Sequence, residues 1–441
     1  MNNSRKSPRN LLLHRISQTI DHFIPDWKAK FDSLADYRGK RARYEMSEII
    51  LASVTMFLFK EGSRNQMNED REEDQFRRNY KTLFGLKLPH MDTVSDVMNK
   101  LEPEHLESIR LHFIKYLLDK RTLHRFRLQG EYFQIAVDGS GIYTFDKEPY
   151  PNCPNKTSEN GKTTWHQNVL EAKLVCSNGF CLSIATEWLK NEDGHHKQDC
   201  EQKALKRLLV NLKSTFARLP ICILLDGLFV SGPVIEQIKS NGWEYIIVWK
   251  DGKLKNVQEQ LVDLRLEKQV ERVEKEQIHN PKVKTEHTYE YSKASLEHQG
   301  HEFYYIKHCY QTTEVNNQSI IDKKQFIFIT SIAPNQANIK ELTKAGRMRW
   351  KIENEGFNAQ KNHGLNLHHK YVRKNFTGIR NYYMSMQIAH IIEQLFVLCK
   401  NKIMDGWKTL KGMWKQLWAT ILLLPLESFP TCKKLKTNYR Y

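Results

Sequence analysis

Before residue 125, apolar residues recur at helical spacing; after residue 131 they collect into short unbroken runs. Residues 44–60 show the first pattern, with Met46, Ile49, Ile50, Val54, Phe57 and Leu58 on one predicted helical face. Residues 93–101 follow Pro89 and are placed to be the second helix of a helix-turn-helix. The second pattern begins with the run 133–137, which ends in Asp-Gly-Ser. Runs 169–175 and 180–184 predict two more strands, joined through Asn178-Gly179, a preferred hairpin turn. A helix then starts at Asp199 with Gln202 three residues on, and carries Leu205, Leu208, Leu209, Leu212 and Phe216 at helical spacing. Run 221–225 is fully apolar and ends in Asp226-Gly227. Pro233 opens a short helix that Gly242 closes, and 244–249 predicts one more strand.

The order is therefore three hairpin-joined strands, then helix, strand, helix, strand. That order describes the start of an RNase H-like α/β fold, whose parallel part is covered on both faces and reads as continuous apolar runs. Residues 251–335 differ in texture. Their first half is charged and predicted helical; their second half alternates in strands at 287–291, 303–310 and 325–332, as a mostly antiparallel insertion. Helix returns at 336–363, 382–399 and 405–424. The expected organisation is a basic helical DNA-binding or dimerisation domain at 1–125. A catalytic domain follows at 126–250 and 336–400, interrupted by the β insertion at 251–335, with a C-terminal helical tail at 401–441.

The chain has 441 residues and a formal net charge of +17, which makes a polyanion the expected partner. Arg38, Lys40, Arg41 and Arg43 form a basic cluster suited to phosphates. The longest apolar run, 418–426, is too short to span a bilayer and contains Pro425; the N-terminus has no apolar signal core. A cytoplasmic protein, nucleoid-associated when bound to DNA, is expected. None of the eight cysteines forms a CxxC pair, and Cys176 and Cys181 are expected as small apolar residues on adjacent strands.

Asp138 and Asp226 share a context: each follows an apolar strand and precedes glycine. Ligand sites of open α/β sheets collect at such strand ends. A third acid is predicted on the helix around 347–361, where Arg349, Glu353, Phe357 and Lys361 fall four residues apart. Glu355 is its rival, rotated by roughly 200° to the side of Lys351 and Ala359. Three converging carboxylates need a cation between them, and hard oxygen donors suit Mg²⁺, with Mn²⁺ able to substitute. Two such ions activate a water and stabilise the leaving 3′ oxygen of a phosphodiester. Arg349 and Lys361 are placed to hold phosphates beside them.

Across residues 130–400 the chain resembles the DDE transposases of bacterial insertion sequences. Ile135-Ala-Val-Asp-Gly-Ser140 resembles the first-Asp strand, Leu224-Leu-Asp-Gly227 the second, and Arg349-Trp-Lys-Ile-Glu353 the helix of the third acid. The segments 168–173 and 198–201 are similar to stretches of that family as well. The resemblance implies the β-rich insertion before the glutamate, binding at terminal inverted repeats, hydrolytic nicking, transfer of the 3′-OH to target DNA, and a homodimer acting on paired ends. Two departures stand out. Gly346 occupies the place of a family tyrosine, and seven residues separate Glu353 from Lys361 where the family has six.

Other signals are weaker. His195 and His196, with Asp199 and Cys200, are expected in a solvated loop rather than a metal cluster. His363, His368, His369, Lys370 and Arg373 form a basic segment after the helix. Trp165 and His166 precede the second strand, and Glu187, Glu192 and Asp193 are expected in a loop after the third. A metal-dependent nuclease without strand transfer and a catalytically inactive DNA-binding protein remain as alternative readings.

Overall fold

The computed structural model describes residues 8–39, 42–191, 199–250, 254–280, 283–314, 316, 318–398 and 407–426. It is a mixed α/β protein built on one large mixed sheet. Lys40, Arg41, Glu192, Asp193, His195 and His196 lie outside the described residues.

Helices come first: α1 (Pro8–Phe23), α2 (Trp27–Asp32), α3 (Met46–Leu58), α4 (Arg64–Glu72), α5 (Asp74–Phe84), α6 (Met91–Met98) and α7 (Pro103–Asp119). Every residue of α3 is buried, as its almost wholly apolar circumference demands. It packs on the later helix Phe376–Leu398, with Ser53 Oγ 2.9 Å from Ser385 Oγ. The helix expected at 93–101 is α6. It begins two residues earlier than expected, buries Met91, Val94, Val97 and Met98, and exposes Asp92 and Asp96.

The sheet contains β1 (Phe133–Phe145), β2 (Asn155–Thr157), β3 (Thr163–Val175), β4 (Cys181–Trp188), β5 (Ile221–Leu225), β6 (Glu244–Val248), β7 (Val270–Asn280), β8 (Val283–Ser292), β9 (Leu296–His298), β10 (His301–Glu314) and β11 (Ile320–Thr330). β1, β3 and β4 are antiparallel neighbours, whereas β5 and β6 join β1 in parallel. The β3–β4 hairpin turns at Asn178-Gly179, where Gly179 has φ +108°. All of β5 is buried, as expected for a strand covered on both faces. The expected cap Asp199 does not cap α8 (Glu201–Thr215); Cys200 holds that position. Asp199 instead takes an ion pair of 2.7 Å from Arg207.

β6 pairs antiparallel with β11, which continues through β10, β8 and β7, so the segment after α9 (Gly232–Ser240) and α10 (Lys255–Leu266) extends the same sheet. Residues 270–280, expected as helix, are strand β7. Their Glu- and Lys-rich composition favours helix, but β8 offers a ladder from Val270–Ser292 to Asn280–Val283, and long-range pairing overrides weak local propensity.

The expected continuous helix over 336–363 is broken. α11 (Ile339–Arg347) passes through a 3₁₀ turn (Met348–Trp350) into a π-helix (Ile352–Asn358) before α12 (Ala359–Asn362). Gly356 sits where a Cβ would come within 3.2 Å of Cys181 Sγ and 3.3 Å of Lys173 Cδ. The last described helices are α13 (Phe376–Leu398) and α14 (Leu410–Leu423). Among the described residues no helix is long and apolar enough to cross a membrane.

Candidate active site

The two aspartates meet through strand register. β1 and β5 pair in parallel up to Ala136–Leu224, and two further residues along each strand stand Asp138 and Asp226. Residues facing each other across a parallel pair share a side of the sheet. Asp226 ends its strand as expected. Asp138 does not: β1 runs on to Phe145, so Asp138 lies within it. Gly227 is held to glycine by close approach to backbone, whereas at Gly139 the neighbour is the movable end of a glutamate side chain. A Cβ at Gly227 would come within 2.8 Å of the Val248 carbonyl oxygen, and one at Gly139 would collide with the Glu201 carboxylate.

The broken helix brings the third acid. Arg349 Nη2 lies 2.7 Å from Glu353 Oε1 and 3.9 Å from Asp226 Oδ2. The arginine side chain is 4% exposed and Glu353 43%, so the pair runs from the interior toward solvent. Arg349 Nε and Nη1 are buried without a hydrogen-bond partner. Lys250 approaches the other oxygen of Asp226 at 2.7 Å. Glu355 stands apart from this group, paired with Lys351 at 2.7 Å. The geometry thus places Glu353, not Glu355, beside Asp226.

Electrostatics separate the acids. Burial pushes the Asp138 carboxyl up to about 6; Arg349 opposes the shift, while Glu353 and Glu201 add to it. Burial also disfavours ionisation of Asp226, but Lys250, the Leu228 amide and Arg349 outweigh it and hold this carboxyl below the usual range. Glu201, in the first turn of α8, is raised by burial and by Asp226. Sequence reasoning missed Glu201. Its segment, 198–201, was singled out only as a similar stretch, and nothing in its spacing tells that Gly139 leaves room for its carboxylate.

In donor type these carboxylates suit a hard divalent cation, since they offer oxygen only. As arranged here, no three His, Cys, Asp or Glu side chains among the described residues stand close enough to hold one ion. The guanidinium of Arg349 and the ammonium of Lys250 reach among the acids instead.

Lys361 packs with its Nζ 5.9 Å from the Phe357 ring centre, and Lys173 approaches that ring at 5.2 Å. Arg38 is engaged internally, with Asp36 at 2.8 Å and the Tyr44 carbonyl, whereas Arg43 is exposed. Trp165 and His166 pair with Phe145 and Thr144, far along β1 from Asp138. His368 approaches the Ile142 carbonyl at 3.0 Å, Lys370 covers Phe145, and Glu187 binds Arg207 at 2.6 Å.

On the Glu355 side of the broken helix lies a cleft of about 730 Å³. Lys324, Lys340, Lys344, Arg347 and Lys351 line it, over rings of Tyr289, His308, Phe326 and Trp350. Tyr289 and His308 stack at 4.6 Å, and Arg347 lies 4.5 Å above Phe326. Burial, then His287 and Arg347, lower the His308 imidazole to about 4, so it is neutral at pH 7. Compared with protein-family models and with curated protein sequences, the chain matches none.

Proposed function

We propose that this protein is a DDE-type transposase that binds element ends, nicks DNA by metal-assisted hydrolysis and transfers the 3′-OH end to target DNA. The observation that carries the reading is that the buried Arg349 of the broken helix pairs with Glu353 and reaches Asp226, which stands level with Asp138 on the adjacent strand. The strand order, three antiparallel strands followed by two parallel ones, supports an RNase H-like core. The basic cleft beside the helix and the net charge of +17 support a DNA partner.

Asp138, Asp226 and Glu353 would hold Mg²⁺, with Mn²⁺ able to substitute; when bound, the cation supplies a nucleophilic water and charge stabilisation at the leaving oxygen. Arg349, through Nη2, neutralises Glu353 and Asp226 in the absence of substrate. Lys250, whose side chain is 57% exposed, would have to give up its pairing with Asp226 for a cation to bind there. A homodimer acting on paired ends belongs to the same proposal.

The test uses duplex DNA carrying the sequences that flank the coding region. Mg²⁺-dependent nicking followed by joining to a plasmid is expected. Asp138→Asn, Asp226→Asn and Glu353→Gln should each reduce both steps to background while DNA binding persists. Nicking without joining would restrict the protein to a nuclease; loss on Glu355→Gln with retention on Glu353→Gln would assign the other glutamate.

A further inference from the structure

A π-helix is rare and competes with the ordinary α-helix, so the run Ile352–Asn358 needs an outside reason to form. The β3–β4 hairpin supplies contacts at both of its ends. Cys181 Sγ donates to the Lys351 carbonyl oxygen at 3.4 Å, just before the run. Lys173 meets the other end. Its Cδ lies 3.3 Å from where a Cβ of Gly356 would stand, and its Nζ is 5.2 Å from the centre of the Phe357 ring. Past the run, Gln360 donates to Gln387 Oε1 on α13 at 2.8 Å, and Lys173 donates to the same oxygen at 3.3 Å.

Lys173 also belongs to the ladder that carries the first acid. It stands opposite Ala136 on β1, and two residues back along β3 Glu171 stands opposite Asp138. Side chains two apart on a strand share a face, so Lys173 projects on the side of the Asp138–Glu171 pair. One side chain therefore joins the strand of Asp138 to the helix of Glu353.

Stability does not explain a lysine in this place. Its side chain is 0% exposed, and burial works against its charge while Glu171 favours it. Replacing a buried charged group by an apolar chain of similar volume is often neutral or stabilising. What the lysine adds is direction: the stem packs at Gly356, and the head is placed by Gln387 and Phe357.

We infer that Lys173 is a positioning residue, which selects the π-helical register of residues 352–358 and so sets where Glu353 stands relative to Asp138. The consequence for catalysis rests on the function proposed above; the consequence for the helix does not.

The test compares full-length wild type with Lys173→Met, an unbranched apolar chain of similar length. Hydrogen–deuterium exchange read by mass spectrometry follows the amides of 351–358 without metal or DNA, and thermal unfolding follows global stability. Lys173→Met should unfold at the wild-type temperature or above, while exchange over 351–358 speeds up about tenfold or more and that of β4 stays the same. With Mg²⁺ and DNA, nicking at saturation should fall roughly tenfold or more at unchanged DNA affinity, because misplacing a reacting group costs rate rather than binding. If Lys173→Met does not fold, Lys173→Met with Glu171→Gln, which removes both buried charges, takes its place. Unchanged exchange over 351–358, or faster exchange only in step with a lower unfolding temperature, overturns the positioning role. Faster local exchange with unaltered nicking overturns its link to Glu353. A wild type that nicks no DNA overturns the proposed function instead, and exchange alone then decides the role of Lys173 in the helix.

Discussion

Arg349 and Glu353 stand one helical turn apart, and their ion pair closes at 2.7 Å with the arginine almost wholly buried. The same guanidinium reaches toward Asp226. A protein cation thus stands among the acids that the proposed reaction would fill with metal. Removing it leaves like charges uncompensated, at a cost of about 1–2 kcal/mol once the exposure of Glu353 is discounted. Arg349→Gln should therefore lower Tm in EDTA, and millimolar Mg²⁺ should recover most of the loss. Equal losses with and without Mg²⁺, followed by differential scanning fluorimetry, would mean that Arg349 acts through packing alone.

Glu61, between α3 and α4, gives a pH prediction. Burial, then its hydrogen bond with Asp70 and the charge of Asp70, push the Glu61 carboxyl up to about 10. Protonated, Glu61 keeps its hydrogen bond with Asp70 and avoids a second buried charge. Because the folded value lies above the ordinary 4.5, this site's stability is fully present below pH 4.5 and is lost as pH rises toward 10. Glu61→Gln mimics the protonated acid at all pH values. It should stabilise the fold by roughly 3 kcal/mol at pH 7 and by almost nothing at pH 4. Urea unfolding at the two pH values measures the difference; an equal effect at both would rule out the shared proton.

Gly346 and Phe328 explain one departure from the transposase pattern. A Cβ at 346 would lie 2.8–2.9 Å from three carbons of the Phe328 ring, which β11 presents to α11. A tyrosine here has no room. Gly346→Tyr should destabilise by about 1–3 kcal/mol or more, the usual scale of overpacking. Phe328→Ala, costly alone, should cost less in the Gly346→Tyr background. Additive losses in that double-mutant cycle would show that the two residues do not compete for one space.

How much of this was legible in the chain depends on distance along it. The strands around Asp138 and Asp226, the Asn178-Gly179 hairpin and the Pro233–Gly242 helix rest on local patterns, and the structure has them. Strand β7 was not legible, because only its ladder with β8 makes residues 270–280 extended. Nor was the π-helix. Its i→i+5 closure gives each residue less rotation than the roughly 100° of an α-helix. It therefore absorbs the extra residue between Glu353 and Lys361 and returns Lys361 toward the face of Glu353. Gly356 against Lys173 and Cys181 fixes where that happens, and those neighbours come from another part of the sequence. The close approach of the Glu201 carboxylate to Gly139 was hidden for the same reason.

The basic cleft tests the DNA partner independently of any chemistry. Lys340 and Lys344 project from α11 into it, over the Phe326 and Trp350 rings. Each phosphate contact contributes about one counterion to the dependence of binding on salt. Lys340→Ala and Lys344→Ala should each reduce the slope of log K against log salt by about 1, and the double variant by about 2. Lys307 lies in a different recess, with Arg272 and Lys323, and Lys307→Ala should leave the slope unchanged. Fluorescence anisotropy with a labelled duplex between 50 and 200 mM salt, a span on the order of that used for such slopes, reads all four. If the cleft variants keep the wild-type slope, DNA does not run past the Glu355 side of the broken helix, and the positive surface there serves another anion.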